Sequence, residues 1–160
     1  MLIFGKKIAY WKEKYGGIAI GILFSIPIFF VNSEISTWRD FIKEIPSLGM
    51  CAFGFLLTFL GIILQGQSKT IEWIKSREVL FDRFIIFNKR IVILSVILSV
   101  YSYFLAFFNF AWFIETFHFI SSYFGYMQKL MITFFIMLAT WFLYDIIYFI
   151  KIFYLLIKKN

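Results

Sequence analysis

Four stretches of this chain, 16–31, 47–64, 91–113 and 130–150, are too apolar to lie on the surface of a water-soluble domain. A helix crossing a hydrocarbon core of about 30 Å needs about 20 mainly apolar residues, and these blocks come at or near that length. Backbone amides in lipid must be satisfied within their own segment, so each block is expected to be an α-helix. Composition points the same way. Hydrophobic residues make up 62% of the chain and mean hydropathy is +0.86, whereas a soluble domain runs to about half apolar. The first two blocks are short, the first carries Pro27, and both are expected to borrow flanking residues or to sit where the bilayer thins. The reading is a single polytopic membrane domain over 1–160: an all-α integral membrane protein with four transmembrane helices.

Basic residues give the orientation, because Lys and Arg accumulate on the cytoplasmic side. Lys6, Lys7, Lys12 and Lys14 precede the first span. Lys69, Lys75, Arg77, Arg83, Lys89 and Arg90 lie between the second and third, and Lys151, Lys158 and Lys159 close the chain. Only Arg39, Lys43 and Lys129 of the 16 fall on the other side. Both termini are therefore expected in the cytoplasm. The abundance of Phe, Ile, Lys, Tyr and Asn fits an AT-rich bacterial or phage-related gene, and the location expected for a four-span protein of this kind is a cell inner membrane. No small-x-small cleavage pattern follows "IPIFFVN", so the first span is expected to be retained.

Three connecting segments have their own character. In "NSEISTWRDFIKEIP", Ile35, Trp38, Phe41, Ile42 and Ile45 recur at helical spacing behind a capping-box-like "TWRD". A helix lying in the outer headgroup layer, anchored by Trp38, is expected there. In "KTIEWIKSREVLFDRFIIFNKR", apolar residues alternate with charge, which predicts a short amphipathic cytoplasmic helix between spans two and three, as two short pieces or one long helix bending back, resting on the inner leaflet. This cytoplasmic loop, 65–90, is also the segment with enough exposed surface to dock a soluble partner, through Lys69, Lys75, Arg77 and Arg83. "ETFHFISSYFGYMQK" reads as an aromatic interfacial belt in which His118 lacks a titratable neighbour other than Glu115.

Within the spans, small and weakly polar residues form rulers. Ser47, Cys51, Gly54, Thr58, Gly61, Gln65 and Ser68 alternate at steps of four and three, the seam of a heptad. Ser95, Ser99, Ser102, Ala106 and Asn109 repeat the pattern in the third span. Gly17, Gly21 and Ser25 make a small-xxx-small series in the first. Lipid supplies little hydrophobic drive between helices, so close approach depends on such residues. Two seams in phase predict intimate packing of spans two and three. The alternative for the serine seam is a water-filled path in an oligomer, lined by Ser95, Ser99, Ser102 and Asn109.

One ionisable residue interrupts a span. Asp145, in "ATWFLYDIIYFIK", lies about 22 Å from Leu130 at 1.5 Å per residue, in the cytoplasmic third. Such a group is a functional candidate by default. Lys89, Arg90 or Lys69 could reach it, forming a register-fixing ion pair, with gating or proton binding as the other possibility. Trp141 and Tyr148, one turn to either side, are placed to shield it.

Enzyme chemistry has no visible carrier. There is no H-E-x-x-H, no pair of carboxylates placed for intramembrane proteolysis, no serine–histidine arrangement and no phosphate-cradling glycine loop. A single cysteine, Cys51, excludes an internal disulfide, and with one histidine a thiolate or imidazole metal site cannot be assembled. No cofactor, metal or direct nucleic-acid binding is expected.

The run "FGFLLTFLGIILQGQSKTIEWIKSREVLFDRFIIFNKRIVILSVILS", residues 53–99, resembles small four-span bacterial membrane proteins associated with antiviral defence, of which the membrane subunit of the Kiwa system is an example. The resemblance is architectural and transfers no residue role. It implies a non-enzymatic, homo-oligomeric membrane component that senses envelope disturbance or permeabilises the bilayer and couples through 65–90 to a cytoplasmic effector. An immunity protein against a pore-forming bacteriocin, and a small channel or transporter subunit, fit the same composition.

Overall fold

A computed structural model of the chain describes residues 2–31, 35–67, 71–72, 75–76, 78–108 and 123–158. These form four long helices: α1 (Leu2–Phe30), α2 (Ile35–Gln65), α3 (Glu78–Phe107) and α4 (Phe124–Lys158). Each contains a segment long and apolar enough to cross a membrane, at Trp11–Phe30, Ile35–Gln65, Phe81–Phe107 and Phe124–Lys151. No strand occurs among the described residues.

The principal contacts pair α1 with α4, α2 with α3, and α3 with α4. Spatial order is thus α1–α4–α3–α2, and the first helix leans on the last rather than on its neighbour in sequence. Residue contacts fix the directions. Gly17 meets Trp141 while Gly21 meets Met137; Gly49 meets Ser99 while Asn88 reaches Leu56; Arg90 meets Asp145 while Tyr101 reaches Met131. All three pairs are antiparallel. Lys12, Lys14, Lys75, Arg83, Lys89, Arg90 and Lys151 therefore gather at one end of the molecule, with Arg39, Lys43 and Lys129 at the other.

Two expectations about the connections change. Residues 35–46 are not a separate helix in the headgroup layer, because they run unbroken into α2 through Pro46. Ile35, Ile42, Gly49, Leu56 and Ile63, seven residues apart, are all buried, and they carry one continuous packing ridge across the expected boundary. Phe41 also meets Phe135 of α4 edge-on at 6.1 Å. Likewise, 78–90 forms the first turns of α3 rather than an amphipathic helix on the membrane surface. Phe84, Phe87 and Asn88 are buried in the bundle there, while Asp82, Arg83 and Lys89 point outward. At about 1.5 Å per residue α2 is some 46 Å long, more than the hydrocarbon thickness, so it tilts or protrudes.

An aromatic cluster closes the basic end. Phe84 stacks obliquely on Phe149 at 5.1 Å, and Phe59 of α2 meets Phe149 at 5.7 Å and Phe153 at 4.5 Å, both edge-to-face. Offset and edge-to-face rings are worth about 0.5–1.5 kcal/mol each beyond area burial.

Candidate functional site

The centre of the structure is a charged hub in the basic half. Asp145 projects from α4 and is fully buried. Arg90 of α3 engages it with two N–H groups: Nε donates to Oδ2 at 2.9 Å and Nη2 to Oδ1 at 3.0 Å. Trp141, one turn earlier on α4, donates its indole N–H to Oδ2 at 3.0 Å. The carboxylate thus accepts three hydrogen bonds with no water needed, which is how an acid can be held among apolar side chains.

Arg90 also reaches the first helix. Its Nη1 donates to the carbonyl of Lys14 at 3.2 Å and its Nη2 to that of Glu13 at 2.8 Å. Phe87 lies 4.5 Å beneath the guanidinium carbon, a cation–π contact that desolvation strengthens. One side chain therefore ties α1, α3 and α4 together. α1 is allowed this close by its glycines. A Cβ at Gly17 would overlap Trp141 and come within 2.8 Å of Asp145 Oδ1, one at Gly16 would lie 2.7 Å from the Tyr144 hydroxyl, and one at Gly21 would lie 2.7 Å from the Met137 carbonyl.

Of the candidates for pairing with Asp145, Arg90 is the one brought to it. Lys89 is exposed on the adjacent side of α3, and Lys69 lies outside the described residues. The α1 backbone contacts of Arg90 have no counterpart in the sequence reading; no residue pattern encodes an arginine donating to helical carbonyls. The run Gly16–Gly17 is the signal that a helix surface had been cleared for something.

The serine seam of α3 faces α2. Ser95, Ser99 and Ser102 are buried. Ser95 donates to Val92 O, Ser99 to Ser95 O and Ser102 to Leu98 O, at 2.7, 2.8 and 2.6 Å. Their hydroxyls are satisfied by their own helix. Gly49 is the residue that admits Ser99, since a Cβ there would overlap its Oγ. Asn109 lies outside the described residues. Asn88, one heptad before Ser95, belongs to the same seam and was missed; it is fully buried, with Nδ2 3.4 Å from Leu56 O.

The matching ruler of span two does not meet α3. Gly54 and Gly61 would have open space around an added Cβ, and Ser47, Cys51, Gly54 and Thr58 are exposed. α2 turns the ridge of Ile35, Ile42, Gly49, Leu56 and Ile63 inward and the ruler of Ser47, Cys51, Gly54 and Thr58 outward, the reverse of the expectation. Hydrophobicity carries no inside–outside sign in lipid, and the ridge of Ile35, Ile42, Leu56 and Ile63 fills the space beside α3 that a glycine face would leave empty.

In the segment expected to dock a partner, Lys75 turns back onto the end of α2, donating to Leu64 O at 2.8 Å and Gly66 O at 3.1 Å. It caps carbonyls that the helix leaves without partners. Arg83 is exposed on α3, and Arg77 lies outside the described residues. Among the described residues no group of three His, Cys, Asp or Glu is placed to hold a metal ion.

Among the described residues the chain is thus all-helical, with four membrane-compatible helices, three of which are tied together at one charged hub. No family model matches it, and no curated protein or solved structure shows significant similarity to it.

Proposed function

We propose that this chain is a non-enzymatic, multi-pass component of a bacterial inner membrane that self-associates through the outer face of α2 and signals to a cytoplasmic partner as part of an antiviral defence system. The observation that carries the self-association is the open face of α2. Cys51, Gly54, Thr58 and Gly61 line it, and among the described residues nothing beyond the helix's own neighbouring turns lies within 4 Å of a Cβ added at either glycine. In lipid a face of this kind favours another helix, because small residues allow backbone approach where bulky ones do not. The hub of Arg90 and Asp145 then keeps the protomer rigid, so that a change of packing at α2 is passed along α2 to its capped end and to the following segment. The defence role rests on the architectural resemblance of residues 53–99.

Cys51 provides the test. It is exposed on the open face and is the chain's sole cysteine. Oxidation in native membranes is expected to yield a disulfide-linked dimer that disappears in C51S and in the double variant G54L/G61L. A monomer throughout, with Cys51 reactive toward maleimide in every copy, removes the self-association. Phage plating on cells producing the chain with its co-purifying partner tests the defence role separately: G54L/G61L should abolish protection, and equal plating with and without the chain ends that reading.

A further inference from the structure

The interface between α2 and α3 changes character along its length. In the outer half the two helices press together: a Cβ added at Gly49 would overlap Ser99 Oγ and lie 3.1 Å from the Ser95 carbonyl. Three residues earlier Pro46 sits inside α2. Having no N–H, it gives nothing to the Ile42 carbonyl and removes one rung of the helix. In the basic half the interface holds Asn88 instead. Asn88 is fully buried, its Nδ2 stands 3.4 Å from Leu56 O, and its Oδ1 accepts no hydrogen bond among the described residues. A carbonyl oxygen kept from water without a donor weighs against the closed structure.

We propose that α2 is a hinged arm: the part beyond Gly49 swings away from α3 about Pro46 and Gly49, and the unmet carbonyl of Asn88 is what favours the open position. The ties of each helix decide which one moves. Arg90 binds α3 to both α1 and α4, whereas α2 has α3 as its principal neighbour. Phe59, three residues beyond Leu56, opposes the opening. Its ring meets Phe84, Phe149 and Phe153 at 6.0, 5.7 and 4.5 Å. Ring contacts thus hold the arm closed and hydration of Asn88 draws it open. Opposed local terms of this kind keep two arrangements of one helix close in free energy.

Water has a short way to come. Asn88 lies about 10 Å from Phe81, where the membrane-compatible part of α3 begins, and Arg90, two residues deeper, is still a quarter exposed. Opening the basic end therefore hydrates Oδ1 without drawing water through the apolar middle of the bundle. Lys75 is bonded to the Leu64 and Gly66 carbonyls at the tip of the arm, so its movement carries Lys75 along. The hinge belongs to a single protomer and stands whether or not α2 self-associates.

Pulsed electron spin resonance on the full chain, one protomer per nanodisc, reads the arm from labels at K12C and Q65C in the C51S background; Lys12 and Gln65 are both exposed. Because α1 and α2 are the outermost helices, opening lengthens this separation. Asn88→Leu, which keeps the size of the side chain and removes its carbonyl, should shift the population toward the shorter separation by about fivefold or more and raise the melting temperature. Phe59→Ala takes away the opposing ring and should shift it toward the longer. Ser99→Ala, whose hydroxyl bonds its own helix, should leave the distribution as it is. One unchanged separation in the parent chain, Asn88→Leu and Phe59→Ala, a lengthening in Asn88→Leu, or a lower melting temperature in that variant would each overturn the proposal.

Discussion

Arg90 and Asp145 face each other across α3 and α4 as a two-point pair, with the carboxylate wholly buried and the arginine side chain a quarter exposed. The asymmetry says which partner suffers when the pair is broken. Arg90 can follow its long stem toward the basic end and find water, whereas Asp145 cannot move. Arg90→Met is therefore expected to cost about 3–5 kcal/mol, the penalty of stranding a buried charge. R90M/D145L should recover much of that loss, because the apolar pair strands nothing. Thermal unfolding in detergent, carried through the full double-mutant cycle, checks both statements.

Lysine should not replace the arginine. Arg90 spends its donors on two carboxylate oxygens and two α1 carbonyls in a planar fork, and an ammonium reproduces the charge without that geometry. R90K is expected to retain the α3–α4 pairing while loosening α1, seen as faster hydrogen exchange around Glu13–Gly21 and little change in α3.

Glycines on the two faces should behave oppositely. Gly17→Ala and Gly21→Ala each drive a methyl into α4, at a cost of about 1–3 kcal/mol from overpacking. Gly54→Ala and Gly61→Ala meet open space and should leave the protomer's melting temperature unchanged. Early melting of the Gly54 and Gly61 variants in monomeric detergent preparations would show that these glycines pack within the protomer.

Serines of α3 bond their own helix, so Ser99→Ala removes no interhelical tie other than the 3.5 Å approach to Pro46 O. It is expected to be tolerated, within the ~0.6 kcal/mol typical of interhelical hydrogen bonds in membranes. Ser99→Leu must push against Gly49 and should separate α2 from α3. Equal melting curves for the two variants would show that the seam is not packed.

Lys75 should matter to one turn of helix and little else. Its removal in K75M exposes the Leu64 and Gly66 carbonyls, a loss of about 0.3–1 kcal/mol for a cation at a helix C-terminus. Hydrogen exchange should quicken over the last turn of α2 and nowhere in α4.

How much of this was written in the sequence depends on which contact is asked about. Apolar blocks gave the number of helices, because length and hydropathy are local properties. Asp145 and its arginine were legible for a related reason: a carboxylate in a span demands a donor, and few stood within reach. The Gly17–Gly21–Ser25 series and the serine seam also marked real interfaces. Helix ends were misplaced where Asp82, Arg83 and Lys89, or Arg39, Asp40 and Lys43, interrupt the apolar pattern. These residues occupy the outer side of helices whose inner sides, Phe84 and Phe87 or Ile35 and Ile42, carry on into the core. The facing of α2 was beyond reach of composition. A ruler of small residues says that something can come close; whether that neighbour belongs to the same chain depends on the other three helices.

The docking of α1 onto α4 has a consequence for synthesis. α1 is synthesised before α4, yet each is the other's main neighbour. Until α4 is inserted, Gly17 and Gly21 have no surface to meet and Arg90 has no counter-ion, so a nascent chain stalled after α3 presents an uncompensated arginine to the insertion machinery. Insertion of α4 is thus the step that locks α1 in place.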